Sequence, residues 1–208
     1  MSEASIRQHP AREKWNKRFA AGAAPAQDMP SEWLVEHEPL LRAVAGPGRR
    51  ALDVAAGSGR NALYLAGLGF EVDAIDISDV AIERLRAAAR ERGLPVNARV
   101  VDLEDDGLPA GAYDVVVNMN YLQRDLFGAL ERAVAPAGLL VFETFGPDHL
   151  EALGAGVNPD FVLAPNELLR AFADLRVRRY LEGVVERSGR RKGVESLVAQ
   201  RPPAADSL

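Results

Sequence analysis

The stretch ALDVAAGSGRNALYLA, residues 51–66, decides how this sequence folds. An apolar run ends in a glycine-bearing turn at Gly57-Ser58-Gly59, and a helical pattern follows at once. This order predicts a buried strand that turns tightly into a helix, since glycine permits the turn and lets a ligand approach the backbone. The helix start offers unpaired N–H groups, and Asp53 adds a carboxylate. The turn favours a small nucleoside-like ligand, with a tight turn that binds nothing as the alternative.

The alternation of apolar run, turn and helix continues along the chain. Strands are predicted at residues 51–55, 71–76, 98–101, 113–118 and 139–145, and helices at residues 61–66, 79–92, 122–134 and 166–172. Strands that alternate with helices specify an α/β sheet that is mostly parallel, with helices on both faces. Two strand-like stretches around SGRRKG then predict an antiparallel hairpin that completes the sheet.

Two further acids follow the next two strands, at the edge where an open parallel sheet places its ligand crevice. Asp76 ends EVDAID and can accept both hydroxyl protons of a ribose. Asp102 follows ARVV and can accept from an exocyclic adenine amine, while the N–H of Leu103 serves a ring nitrogen. Either acid alone could cap a helix or hold a turn, but together with Asp53 they favour a nucleoside site.

The turn differs from that of a nicotinamide dehydrogenase, in which G-x-G-x-x-G admits a pyrophosphate. Here Arg60-Asn61-Ala62 follows the second glycine, so the third glycine is absent. A carboxylate at Asp53 would repel a diphosphate and suits a ligand with a free amine or a sulfonium.

Composition excludes several classes of protein. The chain has 208 residues, of which 48% are hydrophobic and 26% charged, as in a globular domain. Its net charge of −5 argues against bulk electrostatic binding to nucleic acid. With no cysteine and three scattered histidines, the sequence predicts no metal site and no disulfide. We expect a cytoplasmic protein, because no apolar run could cross a bilayer and MSEASIRQHPAREKW is unlike a signal peptide.

The motif set resembles that of class I S-adenosylmethionine-dependent methyltransferases. It comprises LDVAAGSGR as motif I, AIDIS with the ribose acid, VVDLEDDGLP with the adenine-side acid, YDVVVNMNYLQRDLF and LERAVAPAGLLVFETF. The resemblance covers residues 49–146 by motif, and it implies a Rossmann-like seven-stranded sheet, S-adenosyl-L-methionine as cofactor and S-adenosyl-L-homocysteine as product. The cofactor-binding residues it implies are Asp53, Ala55, Gly57, Ser58, Gly59, Arg60, Asp76, Ile77, Asp102, Leu103 and Asn118. Ala55-Ala56 departs from the frequent Gly-Cys pair but stays small.

Within this superfamily, GSGRNALYLA, the region of Trp15 and Arg18, and VESLVAQRP are similar to the small tellurite-resistance-type methyltransferases. The likeness implies a small acceptor, such as an oxyanion, a thiol or another small nucleophile, methylated by direct displacement. Acceptor positioning is expected from Asn120, Tyr121 and Arg124. Their segment also resembles the N-P-P-Y tetrapeptide of amino methyltransferases without its prolines, so an amino methyltransferase acting on RNA or protein through Asn118-Met119-Asn120-Tyr121 is one alternative.

Two arginines and one acid are further candidates near the acceptor. Arg60 and Arg124 could bind an anionic acceptor or the cofactor carboxylate, because a guanidinium pairs with such groups through two hydrogen bonds. Each could equally be a solvated arginine on a helix surface. Glu143 at the end of the fifth strand could act as a general base or form a structural hydrogen bond.

The chain divides into three segments in this interpretation. Residues 1–48 form an N-terminal helical cap, residues 49–201 the methyltransferase domain and residues 202–208 a loose tail. Trp15 and Phe19 would share one helix face, which with Arg18 could close over the ligand or simply pack on the main body. Ser31 is expected to cap a second helix over residues 31–45.

Basic residues crowd the final hairpin. They are Arg176, Arg178, Arg179, Arg187, Arg190, Arg191 and Lys192. Alternation predicts that Arg176 and Arg178 share one face, most simply a solvated sheet edge. The remaining alternative is a non-catalytic nucleoside-binding module that contacts RNA or protein through this hairpin. An enzyme that acts on a small molecule is favoured over that alternative.

Overall fold

Seven strands form one mixed sheet in the computed structural model, which describes residues 9–22, 29–153, 158–187 and 189–204. The strands are β1 (Arg50–Val54), β2 (Glu71–Asp76), β3 (Val96–Val100), β4 (Tyr113–Met119), β5 (Val134–Phe145), β6 (Arg176–Arg187) and β7 (Arg190–Gln200). Their order is β3-β2-β1-β4-β5-β7-β6. The first five are parallel, and β7 runs antiparallel to β5 and β6. The predicted sheet and its closing hairpin are therefore confirmed.

Helices connect and cover the strands. They are α1 (Pro10–Ala20), α2 (Glu32–Glu36), α3 (Glu38–Val44), α4 (Arg60–Gly67), α5 (Asp79–Arg92), α6 (Phe127–Ala133), α7 (Asp148–Leu153) and α8 (Glu167–Ala171). In α5, Ser78 accepts the N–H of Ala81 as a capping side chain, and Gly93 ends the helix with a positive φ of 63°. Among the described residues, no helix has the length and apolar character needed to span a membrane.

Two predicted helices differ from the structure by more than one residue at an end. The helix expected over residues 31–45 divides at His37, because Pro39 has no N–H to donate to the carbonyl of Val35. Ser31 makes no capping bond with its side chain, and its N–H instead donates to Asn61 Oδ1 at 2.9 Å. The helix expected over residues 122–134 begins only at Phe127, after a single 3-10 turn at Arg124–Leu126.

The sheet separates two apolar cores. In β4, Val115 and Val117 enter one core and Val116 the other, all fully buried, because successive side chains of a strand point to opposite faces. Leu34, Leu65 and Leu85 belong to the first core, so α2, α4 and α5 cover that face. The second core includes these residues from α6, α8 and the segment after α8: Leu130, Leu168 and Phe172. Helices on both faces are thus confirmed.

The final hairpin is less regular than the sequence predicts. The pairing of β6 with β7 shifts between Val177 and Arg179, which interrupts the alternation assumed for Arg176 and Arg178. Arg178 donates to Gln200 Oε1 at 2.8 Å. The last four residues of the predicted tail lie outside the described residues.

The chain reverses its direction of winding between β1 and β4. The strand β1 pairs with β2 on one side and with β4 on the other. A crevice opens at such a point above the carboxyl ends of the strands, and ligands of open α/β sheets bind there.

Candidate functional site

The turn after β1 is held in place by the end of β2. The N–H of Ala56 donates to the carbonyl of Ile75 at 2.9 Å, and the N–H of Gly57 donates to Asp76 Oδ2 at 2.8 Å. Ser58 is half-buried within the turn. The backbone of the turn is therefore fixed by the protein itself.

The two glycines of the turn each make room for a different neighbour. A Cβ added at Gly59 would lie 2.1 Å from Leu85 Cδ1, so this glycine allows α5 to pack against the turn. A Cβ added at Gly57 would lie 3.1 Å from Cζ of Phe19, so this glycine accommodates α1. Both also have positive φ, at 85° and 56°.

Ala55 occupies a conformation that favours glycine, with φ at 52°. A left-handed conformation costs an L-residue about 1–2 kcal/mol. We therefore expect Ala55→Gly to raise the free energy of unfolding by about 1 kcal/mol, after the extra chain entropy of glycine is counted. Urea denaturation checks this. The comparison variant is Ala137→Gly, because Ala137 also has a positive φ, of 63°, but lies remote from the turn. Destabilisation by Ala55→Gly would contradict the expectation.

Asp53 and Asp76 are buried carboxylates at neighbouring strand ends. Asp53 is 1% exposed, and its Oδ2 is sealed from solvent without a partner. Burial raises the pKa of Asp53 to about 7, which the N–H of Ala62 and the charge of Arg60 only partly counteract. Asp76 accepts hydrogen bonds from the N–H groups of Gly57 and Ser78, both at 2.8 Å. Burial raises the pKa of Asp76, although these two hydrogen bonds and one from Ile77 oppose the rise.

Asp102 and Leu103 line the crevice beyond β3. Asp102 Oδ1 accepts the N–H of Glu104 at 3.1 Å, whereas its buried Oδ2 has no hydrogen-bond partner. Tyr121 lies on this side too, since its pKa is raised mainly by burial and further by the charges of Glu104, Asp102 and Asp76. Its hydroxyl donates to Gln123 Oε1 at 2.6 Å. Gln123 Nε2 in turn donates to the carbonyl of Leu103 at 3.5 Å, so Tyr121, predicted at the acceptor, lies beside the residues predicted to hold the adenine.

The helix α1 lies across the loops that carry these acids. Asn16 Oδ1 accepts from the Ser78 hydroxyl at 2.7 Å, and Arg12 Nε donates to Asp79 at 3.3 Å. Phe19 is 5% exposed and touches the motif I turn. The other two predicted lid residues are Trp15 and Arg18. Trp15 is 36% exposed, and Cζ of Arg18 lies 5.2 Å from the centroid of its ring.

The loop after β4 is ordered by its own polar groups. Asn118 Nδ2 donates to the carbonyl of Tyr121 at 2.8 Å, and the N–H of Asn120 donates to the carbonyl of Glu143 at 2.8 Å. Asn120 has a positive φ of 56° and an exposed side chain. The loop thus presents Asn120 to solvent above the crevice.

Arg124 is fully engaged on the other side of this loop. Its Nε and Nη2 donate to the two carboxylate oxygens of Glu167 at 2.7 and 3.0 Å, and Nη2 also donates to the carbonyl of Val162 at 2.9 Å. This bidentate pairing fixes α8 beside the loop. Contact of Arg124 with an acceptor stays a prediction, because Glu167 occupies its guanidinium here.

A charged cluster that the sequence did not reveal lies at the β5–β7 side of the crevice. Glu143 Oε2 accepts from the Ser196 hydroxyl at 2.8 Å and from Arg187 Nη2 at 3.4 Å. Arg187 Nη1 also lies 2.6 Å from Glu36 and 3.6 Å from Glu32. Arg187 is only 9% exposed, so its assignment to a solvated hairpin edge is wrong.

The distribution of donors and acceptors fits S-adenosylmethionine. Asp53 Oδ2 and Asp102 Oδ2 accept no hydrogen bond from the described residues, and they suit an ammonium group and an adenine amine. The imidazole of His9 lies 3.8 Å from Asp102 Oδ2. The carboxylate of Asp76 keeps acceptor capacity for ribose hydroxyls beyond its two N–H donors. Among the described residues, no cluster of three or more His, Cys, Asp or Glu could hold a metal ion.

Comparisons with known proteins agree with this fit. A family model described as "Methyltransferase domain" matches residues 51–138. The chain is similar to a "Ubiquinone biosynthesis O-methyltransferase" of Thiobacillus denitrificans, at 32% identity over 63% of this chain and 56% of the relative. The chain thus spans little more than half the length of that protein. A protein of the same name from Bordetella bronchiseptica is 30% identical over 71% of this chain and 67% of its own length.

A solved structure with the same fold is TehB from Haemophilus influenzae. It superimposes with a TM-score of 0.67 over 82% of this chain and 61% of that chain, at 19% identity. From the sequence matches, supported by the strand order and the buried acids at the crevice, the chain belongs to the class I S-adenosylmethionine-dependent methyltransferase family.

Proposed function

We propose that this protein binds S-adenosylmethionine at the carboxyl edge of β1, β2 and β3 and methylates a small-molecule acceptor. The observation that carries the proposal is the set of buried acids Asp53, Asp76 and Asp102, two of which have a sealed oxygen without a hydrogen-bond partner. Unpaired buried polar atoms are costly, and the cofactor's amine groups would satisfy them. The relatives named O-methyltransferases support an oxygen nucleophile as the methylated atom.

The bound cofactor would supply an activated methyl group on a sulfonium. Asp53 would then hold its ammonium group, Asp76 its ribose hydroxyls, and Asp102 with the N–H of Leu103 its adenine. The remaining task of the protein is to align the nucleophile with the methyl group, which removes much of the entropic barrier. Few acid–base residues are needed for such a displacement.

Glu143 is our candidate for receiving the proton that an acceptor hydroxyl loses. Its Oε2 is held by Ser196 and Arg187, whereas Oε1 accepts no hydrogen bond from the described residues. Burial raises the pKa of Glu143, although Ser196 and Arg187 partly oppose this, and a raised pKa makes a carboxylate a better base.

We also propose that residues 1–48 serve as a cap over residues 49–201, with α1 as the closing element. Phe19 on the motif I turn and Asn16 on Ser78 support this arrangement. Residues 1–8 and 23–28 of that cap lie outside the described residues.

Calorimetric titration with S-adenosylhomocysteine tests the cofactor site. We expect Asp76→Ala to weaken binding at least tenfold, because a hydrogen bond to a charged group contributes about 1.5–3 kcal/mol. Asp125→Ala, at an exposed position in the 3-10 turn Arg124–Leu126, should leave the affinity unchanged. Since Asp76 also holds the turn, Asp76→Asn serves as a second variant with less effect on folding. The absence of binding by the unaltered protein would refute the proposed function.

Turnover separates the enzyme from a non-catalytic binding module. Labelled S-adenosylmethionine would be incubated with small phenols, thiols and amines, and release of S-adenosylhomocysteine measured. Transfer to at least one acceptor class is expected. Cofactor binding without turnover on any of them, together with RNA affinity lost in Arg190→Glu/Arg191→Glu, would instead identify a binding module.

A further inference from the structure

Two glutamates lie directly opposite each other in the final hairpin, on the face of the sheet that α8 covers. Glu182 of β6 pairs in register with Glu195 of β7, and Tyr180 Oη lies 3.1 Å from Oε2 of Glu182 and 3.1 Å from Oε1 of Glu195. We propose that Glu195 is a protonated carboxylic acid at pH 7 and that it acts, through α8, as a positioning residue for the loop after β4. The part of this inference that concerns the acceptor rests on the proposed function.

The hydroxyl of Tyr180 can satisfy only one of the two carboxylates. It has a single proton to donate, and like charges that face each other across two strands are destabilising. Among the described residues, no lysine, arginine or histidine forms an ion pair with either glutamate. One added proton removes the conflict, because the carboxyl of Glu195 then donates to Tyr180 Oη and the hydroxyl of Tyr180 donates to Oε2 of Glu182.

Glu195 is the glutamate whose environment favours the neutral form. It is fully buried, and its Oε2 is sealed from solvent without a hydrogen-bond partner. Glu182 is only half-buried, and its Oε2 also accepts the N–H of Asn166 at 2.6 Å. Burial raises the pKa of Glu195, hydrogen bonds from Leu168 and Tyr180 only partly oppose this, and the charge of the opposite glutamate adds to it. Burial also raises the pKa of Tyr180, so its hydroxyl keeps the proton that it donates.

The other charged groups of the elements around Glu195 leave this assignment unchanged. The helices α7 and α8 pack on β7, and their described titratable side chains are Asp148, His149, Glu167 and Arg170. Within the described ranges, none of these four lies within ion-pair distance of Glu195. On its other side, β5 places the uncharged Thr144 opposite Glu195. The charge of Glu182 is therefore the one that faces this carboxyl directly.

Glu195 also holds the start of α8. Its Oε1 accepts the N–H of Leu168 at 2.8 Å. The preceding residue, Glu167, accepts two hydrogen bonds from Arg124 at 2.7 and 3.0 Å, and Arg124 begins the 3-10 turn that follows the loop after β4. Hydrogen bonds thus connect the buried acid to the loop that would position the acceptor. A second charge opposite Glu182 would weaken this connection.

Carbon-13 NMR of the full chain, labelled at the side-chain carboxyl carbon of glutamate, tests the proton directly. The resonance of Glu195 is identified by its absence from Glu195→Gln and is followed from pH 4.5 to pH 8. We expect it to keep the shift of a protonated carboxyl at pH 7, with Glu186 at an exposed position of β6 as the comparison. Glu182→Gln should move the titration of Glu195 to lower pH, because the opposing charge is removed. A carboxylate shift for Glu195 at pH 7, or an unchanged titration in Glu182→Gln, would overturn the assignment.

Hydrogen exchange of the Nε–H of Arg124 tests the positioning role. This proton donates to Glu167 Oε1 at 2.7 Å, so its exchange rate reports how often that pair opens. We expect Glu195→Ala to raise the rate about tenfold, because α8 loses the acceptor of the Leu168 N–H. Glu195→Gln keeps a neutral acceptor and should leave the rate unchanged, as should Glu186→Ala. Amide protons of β4, followed in the same samples, separate local opening from a loss of global stability.

Cofactor binding keeps this test apart from that of the proposed function. Each variant is titrated with S-adenosylhomocysteine, and equal affinities are expected because these side chains are not among those that would hold the cofactor. If the unaltered protein does not bind it, the proposed function fails, while both NMR measurements still decide the role of Glu195. That role is refuted if Glu195→Ala leaves the exchange of Arg124 unchanged, or if Glu195→Gln raises it tenfold. Should Glu195→Ala not fold, Glu195→Gln decides alone, because exchange as slow as in the unaltered protein shows that a neutral acceptor suffices.

Discussion

Asp53→Asn is expected to weaken the binding of S-adenosylhomocysteine about a hundredfold while it stabilises the ligand-free protein. The loss follows because the variant cannot offer a negative charge to the ammonium group of the ligand. The gain follows because an ionised carboxylate that is 1% exposed, with an unpartnered oxygen, is replaced by a neutral amide of the same shape. Calorimetry measures the first effect and urea denaturation the second.

The stabilisation should depend on pH in a defined direction. Burial raises the pKa of Asp53 from 3.8 to about 7, so between these values the folded protein holds a proton that the unfolded chain has lost. The stability of the unaltered protein therefore falls through this group as the pH rises from about 4 to about 7. The free energy of unfolding of Asp53→Asn should therefore equal that of the unaltered protein near pH 4 and exceed it by about 2–4 kcal/mol at pH 8, since each pH unit corresponds to about 1.4 kcal/mol.

The affinity for the ligand should depend on pH through the same proton. Below pH 7 Asp53 must lose its proton before it can pair with the ammonium group, so the binding constant of the unaltered protein should fall up to tenfold for each pH unit. Asp53→Asn should abolish this dependence, and Asp125→Asn at an exposed position should retain it. An unchanged affinity in Asp53→Asn, or an equal gain in stability at pH 4.5 and pH 8, would contradict the assignment.

The cofactor half of the site could be predicted because its geometry follows from chain order. Asp53 lies in β1 near its carboxyl end, Asp76 ends β2, and Asp102 follows β3. Parallel neighbouring strands bring such ends to one edge of the sheet whatever the details of packing. Local patterns that identify each strand therefore also place the three acids together.

The β4–β5–β7 side of the crevice could not be predicted, because its contacts join residues far apart in sequence. Arg124 pairs with Glu167, 43 positions away, and Arg187 with Glu36, 151 positions away. Arg187 and Arg190 occur in one basic run, yet one is buried and the other exposed. The two lie opposite each other across β6 and β7, and Arg187 is the one that pairs with Glu36 and Glu143, a contact that no local pattern reports.

The position of α1 is an intermediate case. The four-residue spacing of Trp15 and Phe19 predicts a shared helix face, and the rings do lie 6.1 Å apart. Of these two rings, that of Phe19 reaches the motif I turn, where the missing side chain of Gly57 leaves space for it. Where a predicted helix docks thus depends on the surface that receives it.

Arg187→Gln is expected to cost about 2–3 kcal/mol of unfolding free energy at pH 8. Arg187 lies among Glu32, Glu36 and Glu143, and its removal takes from the carboxylate of Glu143, 7% exposed, its ion-pair partner at 3.4 Å. Breaking a buried ion pair on one side costs about 3–5 kcal/mol, and the exposure of Glu32 and Glu36 to water reduces this. Urea denaturation at pH 8 measures the loss, with Arg190→Gln, at the exposed arginine opposite Arg187 in the hairpin, as the matched control.

Two further measurements separate this electrostatic cost from a loss of packing. The charge of Arg187 lowers the pKa of Glu143, so without it the folded carboxyl holds its proton to higher pH. The destabilisation by Arg187→Gln should therefore shrink as the pH falls from 8 to 5. Adding Glu143→Gln should likewise recover part of the stability lost in Arg187→Gln, because the unpaired charge is then removed. The opposite result is the same loss of unfolding free energy at both pH values, together with a further, fully additive loss from Glu143→Gln. Arg187 would then stabilise the hairpin by packing alone, and its role as the counter-charge of Glu143 would be refuted.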